Sequence, residues 1–282
     1  MADKPKRASE YKGEQVELVR ATCLYVATKL GDMMQDLVIV GGLVPSLIID
    51  QENLAEGVEP HAGTMDLDVG LQVALLHEGR YRQLTERLRD AGFEMDKNDV
   101  GKPTRQRWVI SNAKGVTIDF LIQPTLESDR GGRLRDLEPD FAAIIAPGLR
   151  CAFRNHKQVT LKGKTMFGES ATRDVWVCDA GAYVVLKALA FDSRGENKDA
   201  YDLFYVLRNY GLGPADVAAK LQPLLDEADA QRALDILKRD FTEVSGVGPM
   251  RVAAFSTGGP DDQIQADVVG FVNQLLALVK LP

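Results

Sequence analysis

Two aspartates spaced two residues apart are the first side chains in this sequence that could do chemistry. Asp66 and Asp68 lie in residues 65–73, where apolar residues alternate with polar or small ones. This period of two predicts a half-buried strand. Both carboxylates would then lie on one face, about 6–7 Å apart at the backbone. Since two acids on one face repel each other unless a cation lies between them, the pair predicts a metal site.

A third acid, Asp119, lies in the apolar run of residues 116–122. The alternation of this second predicted strand places Thr117, Asp119 and Leu121 on one face. A charge in such a run needs a partner, and an adjacent strand could bring it to the same metal. We therefore expect three metal ligands, Asp66, Asp68 and Asp119. The expected metal is Mg²⁺, or Mn²⁺ in its place, because Mg²⁺ prefers carboxylate, phosphate and water oxygens as ligands.

Gly41 and Gly42 follow a short buried strand, residues 37–40, and precede a helix predicted over residues 43–50. Glycine allows close approach of the backbone to a ligand, and a helix N-terminus favours anions. We expect a nucleoside triphosphate here, with Thr64 adding a hydroxyl. Metal ions held by the aspartates would polarise the α-phosphate and activate an attacking hydroxyl, whose proton Asp119 could take. Alone, an Asp-x-Asp strand or a Gly-Gly turn often has no such function.

The elements that position these residues change character along the chain. A tail of about a dozen residues precedes a helix, and residues 51–63 are an exposed loop. Strands at 107–111 and 116–122 are joined by an Asn-Ala-Lys-Gly turn, and 124–140 is a mobile loop. Residues 150–177 form short strands. The predicted helices span 16–30, 78–91, 179–192, 197–210, 214–226, 229–243 and 261–279. The glycine-containing stretch 246–259 is predicted to separate the last two helices.

The predicted fold class is therefore α+β. A mixed β-sheet with flanking helices occupies residues 13–177, and a helical domain occupies residues 178–282, giving a bilobed molecule. The chain has 282 residues, of which 45% are hydrophobic and 27% are charged, as in ordinary globular proteins.

The formal net charge of −7 gives the chain no general attraction for nucleic acid. An RNA partner would need a local basic patch, and residues 80–89, 102–107 and 150–164 are basic enough to supply one. A solvated helix face explains residues 80–89 equally well. Three scattered cysteines fit a reducing cytosol, and the polar N-terminus and the lack of a long apolar run predict a cytoplasmic protein with no membrane partner.

Two groups of residues carry a resemblance to a known family. The first is the Gly-Gly step followed by residues 64–68, Thr-Met-Asp-Leu-Asp. The second is Lys187 with Ala190, then Arg194, then residues 198–203, Lys-Asp-Ala-Tyr-Asp-Leu. Together they resemble the AbiEii/MenT-type nucleotidyltransferase toxins, a group within the polymerase-β-like nucleotidyltransferases. The resemblance spans residues 37–210 and implies a nucleotidyltransferase-type sheet in the N-terminal part.

The resemblance also implies roles in the helical part. Lys187 would contact the nucleotide phosphates, Arg194 and Lys198 would add positive charge, and Asp199 would be an active-site acid. The residues by themselves allow other interpretations. Lys187 could be a surface lysine at the edge of an apolar helix, and the charges at 198–202 could be a solvated helix start.

This sequence departs from the family pattern at two places. Ala62 occupies a position that is often arginine, with His61 beside it, and Gly-Gly replaces a frequent Gly-Ser, although Ser46 could lie near. His61 could contact phosphate or sugar, but a loop histidine often has no such role.

The resemblance implies a metal-dependent enzyme that moves a nucleotide from an NTP to an acceptor hydroxyl and releases pyrophosphate. The acceptor would be tRNA, and the protein would be a toxin of a type IV toxin–antitoxin system with an antitoxin as partner. Two alternatives stay open. One is a non-catalytic nucleotide- or protein-binding member of the fold, and the other is a small-molecule nucleotidyltransferase of the antibiotic-modifying kind.

Overall fold

The computed structural model describes residues 5–72, 79–110 and 116–280. Its N-terminal part is a mixed sheet with helices packed against it. The strands are β1 (Leu37–Val40), β2 (Asp66–Leu71), β3 (Phe93–Lys97), β4 (Pro103–Ile110), β5 (Thr117–Ile122), β6 (Leu134–Glu138), β7 (Phe141–Ile145), β8 (His156–Lys164) and β9 (Ser170–Cys178). The helices in this part are α1 (Gly13–Leu30), α2 (Val44–Ile48), α3 (Arg80–Asp90) and α4 (Leu149–Arg154).

The strands follow the order β3-β4-β5-β2-β1-β9-β8, with β7 beside β5 and β6 beside β7. Strand β2 is antiparallel to β1 and parallel to β5, so it lies in the middle of the sheet. The side chains of Leu67, Val69 and Leu71 are buried, whereas those of Asp66 and Asp68 are partly exposed. The predicted alternation of β2 is therefore confirmed, and it leaves the two carboxylates on an accessible face.

The C-terminal part is helical, as predicted. It contains α5 (Ala180–Arg194), α6 (Asn197–Asn209), α7 (Pro214–Leu221), α8 (Ala228–Asp240), α9 (Val247–Thr257) and α10 (Asp262–Leu278). Asp179 caps the start of α5, and its carboxylate accepts a hydrogen bond from the Ala180 amide at 3.0 Å. Gly195 caps the end of the helix and adopts φ 64°. The chain thus turns at once into α6, and the two helices pack together.

The hydrophobic core is one continuous cluster through both parts, with Trp108, Phe120, Tyr183 and Leu203 among its members. The predicted division at residues 177/178 falls at the end of β9, and the division into two domains stays a prediction. All three cysteines are buried. Within the described residues, no helix is both long enough and apolar enough to cross a membrane.

Several local predictions were wrong. Residues 134–138 of the predicted mobile loop form β6, because they pair with the apolar β7, and the amphipathic β3 was not predicted. Residues 247–257 form α9, although glycines surround them, because their apolar side chains pack on α6 and α10. Residues 150–177 form α4 and one long hairpin, β8 with β9, instead of several short strands. The predicted turn at 112–115 lies outside the described residues.

Gly181, in the first turn of α5, provides a test of how closely the helices must approach. A Cβ at this position would overlap the backbone of Lys220 in α7. We expect Gly181→Ala to lower the free energy of unfolding by about 1–3 kcal/mol, despite the better helix propensity of alanine. Urea unfolding monitored by circular dichroism checks this. Gly270→Ala in α10, where a Cβ meets nothing within 4 Å, is the matched control and should be neutral or stabilising. Equal effects of the two changes would contradict the close packing.

Candidate active site

The three predicted acids lie on adjacent strands of the sheet. Asp68 pairs with Asp119 in the parallel β2–β5 ladder, and Asp66 pairs with Thr117. Asp119 pairs in turn with Arg107 in the antiparallel β4–β5 ladder. Since residues in register point to the same side of a sheet, these side chains form one row across its accessible face. The expectation that an adjacent strand brings Asp119 to the pair is confirmed.

The carboxylates of this row already have partners within the protein. The Thr117 hydroxyl donates to Asp66 Oδ1 at 2.7 Å. Arg107 donates to both oxygens of Asp119, from Nε at 2.7 Å and from Nη2 at 2.6 Å. Across the described residues, no group of three or more acid, histidine or cysteine side chains is arranged to hold a metal ion. Asp66 and Asp68 fit a metal that arrives with a phosphate ligand, because Mg²⁺ commonly takes only one or two protein carboxylates. Asp119, with both oxygens bound, does not complete a three-acid set.

Gly41 and Gly42 allow β1 to end in close contact with this row. Gly41 has φ 72°, and a Cβ there would overlap the carboxylate of Asp68. A Cβ on Gly42 would lie 2.7 Å from Thr64 Cβ and 3.4 Å from Lys198 Nζ. The helix that follows, α2, has only five residues, so its dipole adds little. The glycines thus act through close approach, and they bring Thr64 and Asp68 together with a lysine from α6.

Lys198 belongs to a buried cluster of charges between α5 and α6. Its Nζ donates to both oxygens of Asp202, at 2.7 and 2.9 Å. Lys187 Nζ lies 2.6 Å from Asp202 Oδ2 and 3.0 Å from Asp199 Oδ1. Arg194 donates to both oxygens of Asp199, at 2.6 and 2.8 Å. Lys187 is only 7% exposed, so its interpretation as a surface lysine is wrong.

Burial and the neighbouring charges act in opposite directions on this cluster. Burial alone would lower the pKa of Lys187, but Asp202 and Asp199 outweigh it and raise that pKa above its usual value. Burial alone would raise the pKa of Asp202, but Lys187 and Lys198 hold it well below its usual range. At Lys198 burial outweighs the attraction of Asp202, so the pKa of this lysine is lowered. Three cations against two carboxylates leave the cluster with a formal charge of +1.

Asp199 is buried and has both oxygens occupied by Lys187 and Arg194. Burial would raise its pKa, but the two cations reverse that effect and lower it. A carboxylate in this state is a poor proton acceptor. The geometry therefore suits Asp199 to orienting two cations. Arg194 also lies near enough to Asp68 for the two charges to interact.

The loop before β2 is fixed to α6 by His61, which is buried and not a surface loop residue. His61 Nε2 lies 2.9 Å from Asp202 Oδ1. Its Nδ1 accepts a hydrogen bond from the Gly63 amide, so the ring proton lies on Nε2 and points to Asp202. The Tyr201 hydroxyl accepts from the Ala62 amide at 3.0 Å. The alternative role of His61 as a phosphate contact does not match this geometry.

Tyr11, assigned by sequence to a loose tail, lies at the same site. Lys198 Nζ is 5.5 Å from the centre of its ring, and the ring of Phe255 is 6.0 Å away. Burial, reinforced by the charges of Asp202 and Asp66, raises the pKa of Tyr11 above its usual value. A single tyrosine in a polar segment has no periodic signal, so the sequence offered no way to find it.

Most arginines of the basic stretches are matched by acids of this chain, which favours the solvated-face interpretation over a basic patch for RNA. The matched pairs are Arg80 with Asp36, Arg87 with Asp32, Arg89 with Asp140, Arg105 with Asp136, and Arg154 with Asp226 and Glu227.

No family model matches the chain, and no curated protein matches it in sequence. Among solved structures, the chain is similar to an antigenic nucleotidyltransferase-like protein from Paracoccidioides brasiliensis. That match has a TM-score of 0.44 and 17% sequence identity, and it covers 79% of this chain and 88% of the other. A TM-score of this size does not establish a shared fold, so the function must be inferred from the site.

The buried His61 makes stability depend on pH. Burial lowers its pKa from 6.5 to about 4, so the unfolded chain binds more protons between these values. The free energy of unfolding must then fall as the pH falls, by about 2 kcal/mol between pH 7 and pH 5. The pKa of Asp202 is depressed, so protonation of this carboxylate lowers the free energy of unfolding only below this pH range. Urea unfolding at both pH values should show a smaller loss for His61→Gln. His156→Gln, at an exposed histidine of β8, should keep the full loss. Identical losses in all three proteins would contradict this assignment.

Proposed function

We propose that the protein is a nucleotidyltransferase that uses a nucleoside triphosphate and a divalent metal. The observation that carries the proposal is the meeting of Thr64, Asp68 and Lys198 at the Gly41–Gly42 step. Carboxylates for a metal and cations for a polyphosphate thus lie side by side, although they come from opposite parts of the chain. A metal–triphosphate complex uses both groups.

The triphosphate lies along the glycine step, with Lys198 and Arg194 contacting its phosphate oxygens. Asp66 and Asp68 would hold Mg²⁺, which would neutralise phosphate charge and make the α-phosphorus more electrophilic. Thr64 adds a hydroxyl donor beside Gly42. Lys198 can exchange Asp202 for phosphate at modest cost, because Lys187 and His61 still partner that carboxylate.

The reaction is an in-line displacement. The oxygen of an acceptor hydroxyl forms a bond to the α-phosphorus, and the bond from that phosphorus to the oxygen bridging it to the β-phosphate breaks. Pyrophosphate leaves with the electron pair, and one of the β2 carboxylates takes the hydroxyl proton. Asp199 and Asp202 do not touch the reacting atoms, and they position the cations. Lys187 holds these two carboxylates together.

The acceptor and the biological role come from the resemblance of the two motifs to AbiEii/MenT-type toxins. On that basis the acceptor is a hydroxyl of tRNA, and an antitoxin is the partner. The net charge of −7 and the paired surface arginines mean that tRNA would be held by few phosphate contacts. Modest salt dependence of tRNA binding follows from this.

The saturated ion pairs of the α5–α6 cluster also favour a second candidate, a non-catalytic nucleotide-binding protein. In that case the charges serve stability and nucleotide binding without catalysis. Labelling and binding experiments separate the two candidates.

Incubation with each α-³²P-labelled NTP, Mg²⁺ and total tRNA tests the activity directly. We expect label on RNA from the wild type, and a loss of at least a thousandfold in Asp68→Asn, because the metal loses a charged ligand. Asp90→Asn, an exposed acid of α3, should keep wild-type activity. Label on protein or on added aminoglycoside instead would identify another acceptor, and no label with any NTP would contradict nucleotidyl transfer.

Lys198 tests the phosphate site separately. Lys198→Gln should weaken binding of α,β-methylene NTPs by about 10–100-fold, because a charge-assisted hydrogen bond contributes about 1.5–3 kcal/mol. Isothermal titration calorimetry measures the affinity, and thermal denaturation confirms that the variant is folded. Lys162→Gln, on the exposed face of β8, is the control. A folded Lys198→Gln protein with wild-type affinity would place the triphosphate elsewhere.

A further inference from the structure

Arg107 fills the fork between the two oxygens of Asp119, where a metal held by both oxygens would lie. Its Nε and Nη2 donate to the two oxygens of Asp119, at 2.7 and 2.6 Å. The side chain of Asp119 is 8% exposed and that of Arg107 is 19% exposed. This is the planar, two-bond geometry in which guanidinium binds carboxylate best. The β4–β5 register places the two residues directly opposite each other, so the contact is built into the sheet.

A second divalent ion at Asp119 would compete with this guanidinium. Mg²⁺ requires near-octahedral geometry with oxygens at about 2.0–2.1 Å, and it gives up water reluctantly. It would have to displace a donor from an oxygen that already has a short charge-assisted bond. It would also lie within a few ångströms of the guanidinium charge, since both would contact one carboxylate.

The formal charges of the carboxylate row and Arg107 also favour a single divalent ion. Asp66, Asp68 and Asp119 contribute three negative charges, and Arg107 contributes one positive charge. The balance of two negative charges is neutralised by one divalent cation. Arg105, on the same strand, is likewise matched by an acid, Asp136, at 2.7 Å.

We propose that the protein binds a single divalent cation, through Asp66 and Asp68, and that Arg107 takes the place of a second one at Asp119. The inference rests on the proposed function only in taking the first metal to arrive with a nucleotide. It replaces the sequence-based assignment of Asp119 as a metal ligand. Asp119 then positions Arg107, and the guanidinium of Arg107 supplies a fixed positive charge beside Asp66 and Asp68, the carboxylates proposed to bind the metal.

Counting bound Mn²⁺ by electron paramagnetic resonance tests the proposal without measuring turnover. Protein in excess over an α,β-methylene NTP is titrated with Mn²⁺, and the loss of the free-ion signal gives ions per nucleotide complex. We expect one ion for the wild type. Asp119→Asn should keep that ion with an affinity within about threefold, whereas Asp68→Asn should lower the affinity at least tenfold.

The Arg107→Gln variant gives the complementary result. Removal of the guanidinium frees Asp119, so we expect two Mn²⁺ ions per complex, and one again in the double variant Arg107→Gln/Asp119→Asn. Arg105→Gln, which breaks the neighbouring pair, should keep one ion. Two ions in the wild type, or a tenfold loss of affinity in Asp119→Asn, would overturn the proposal even if Arg107→Gln failed to fold.

Failure of the proposed function gives a different result. Protein that neither binds the NTP analogue nor retains Mn²⁺ would contradict both the nucleotidyltransferase assignment and the single-ion site. Protein that binds the analogue with two Mn²⁺ ions would contradict only the role of Arg107.

Discussion

The site depends on the contacts that the buried carboxylate of Asp202 makes with three surrounding side chains. This carboxylate is completely inaccessible to solvent, yet it contacts Lys187, Lys198 and His61. A charge buried in this way is costly unless several donors surround it. These donors come from α5, from α6 and from the loop before β2. The fold therefore reaches low energy only when these three segments lie at one position, which also places Lys198 beside Gly42.

This constraint explains why the sheet and the helices form one site. His61 and Tyr201 attach the end of the loop of residues 51–63 to α6. Thr64 and β2 follow immediately. The same contacts that neutralise Asp202 thus set the distance between the carboxylates of the sheet and the cations of the helices. In the proposed function, cations held in place in this way would already face the phosphates before the ligand binds.

The sequence was sufficient for features with a short repeat or a local turn. Period-two alternation predicted β2 and β5, and the regular apolar spacing predicted α5 and α6. It could not reveal contacts between distant residues. In the sequence, Arg107 cannot be distinguished from the other basic residues. Its position opposite Asp119 depends on the strand register, which exists only in the folded sheet. Tyr11 and His61 lie in segments without a regular apolar repeat, so the sequence does not indicate that they are buried at the site. Strands β6 and β7 depend on pairing with each other, which composition does not encode.

The two sides of the site carry opposite charge imbalances, and this restricts the ligand. The α5–α6 cluster has one positive charge in excess, and the carboxylate row has two negative charges in excess after Arg107 is counted. A simple anion would be attracted by the cluster and repelled by the row, and a simple cation would meet the reverse. In the proposed function, a metal–polyphosphate complex would satisfy both sides, with its metal facing Asp66 and Asp68 and its phosphates facing Lys198 and Arg194. Because Gly41 and Gly42 place no side chain of their own at the step where Asp68 and Lys198 meet, the proposed ligand would bridge the two sides there.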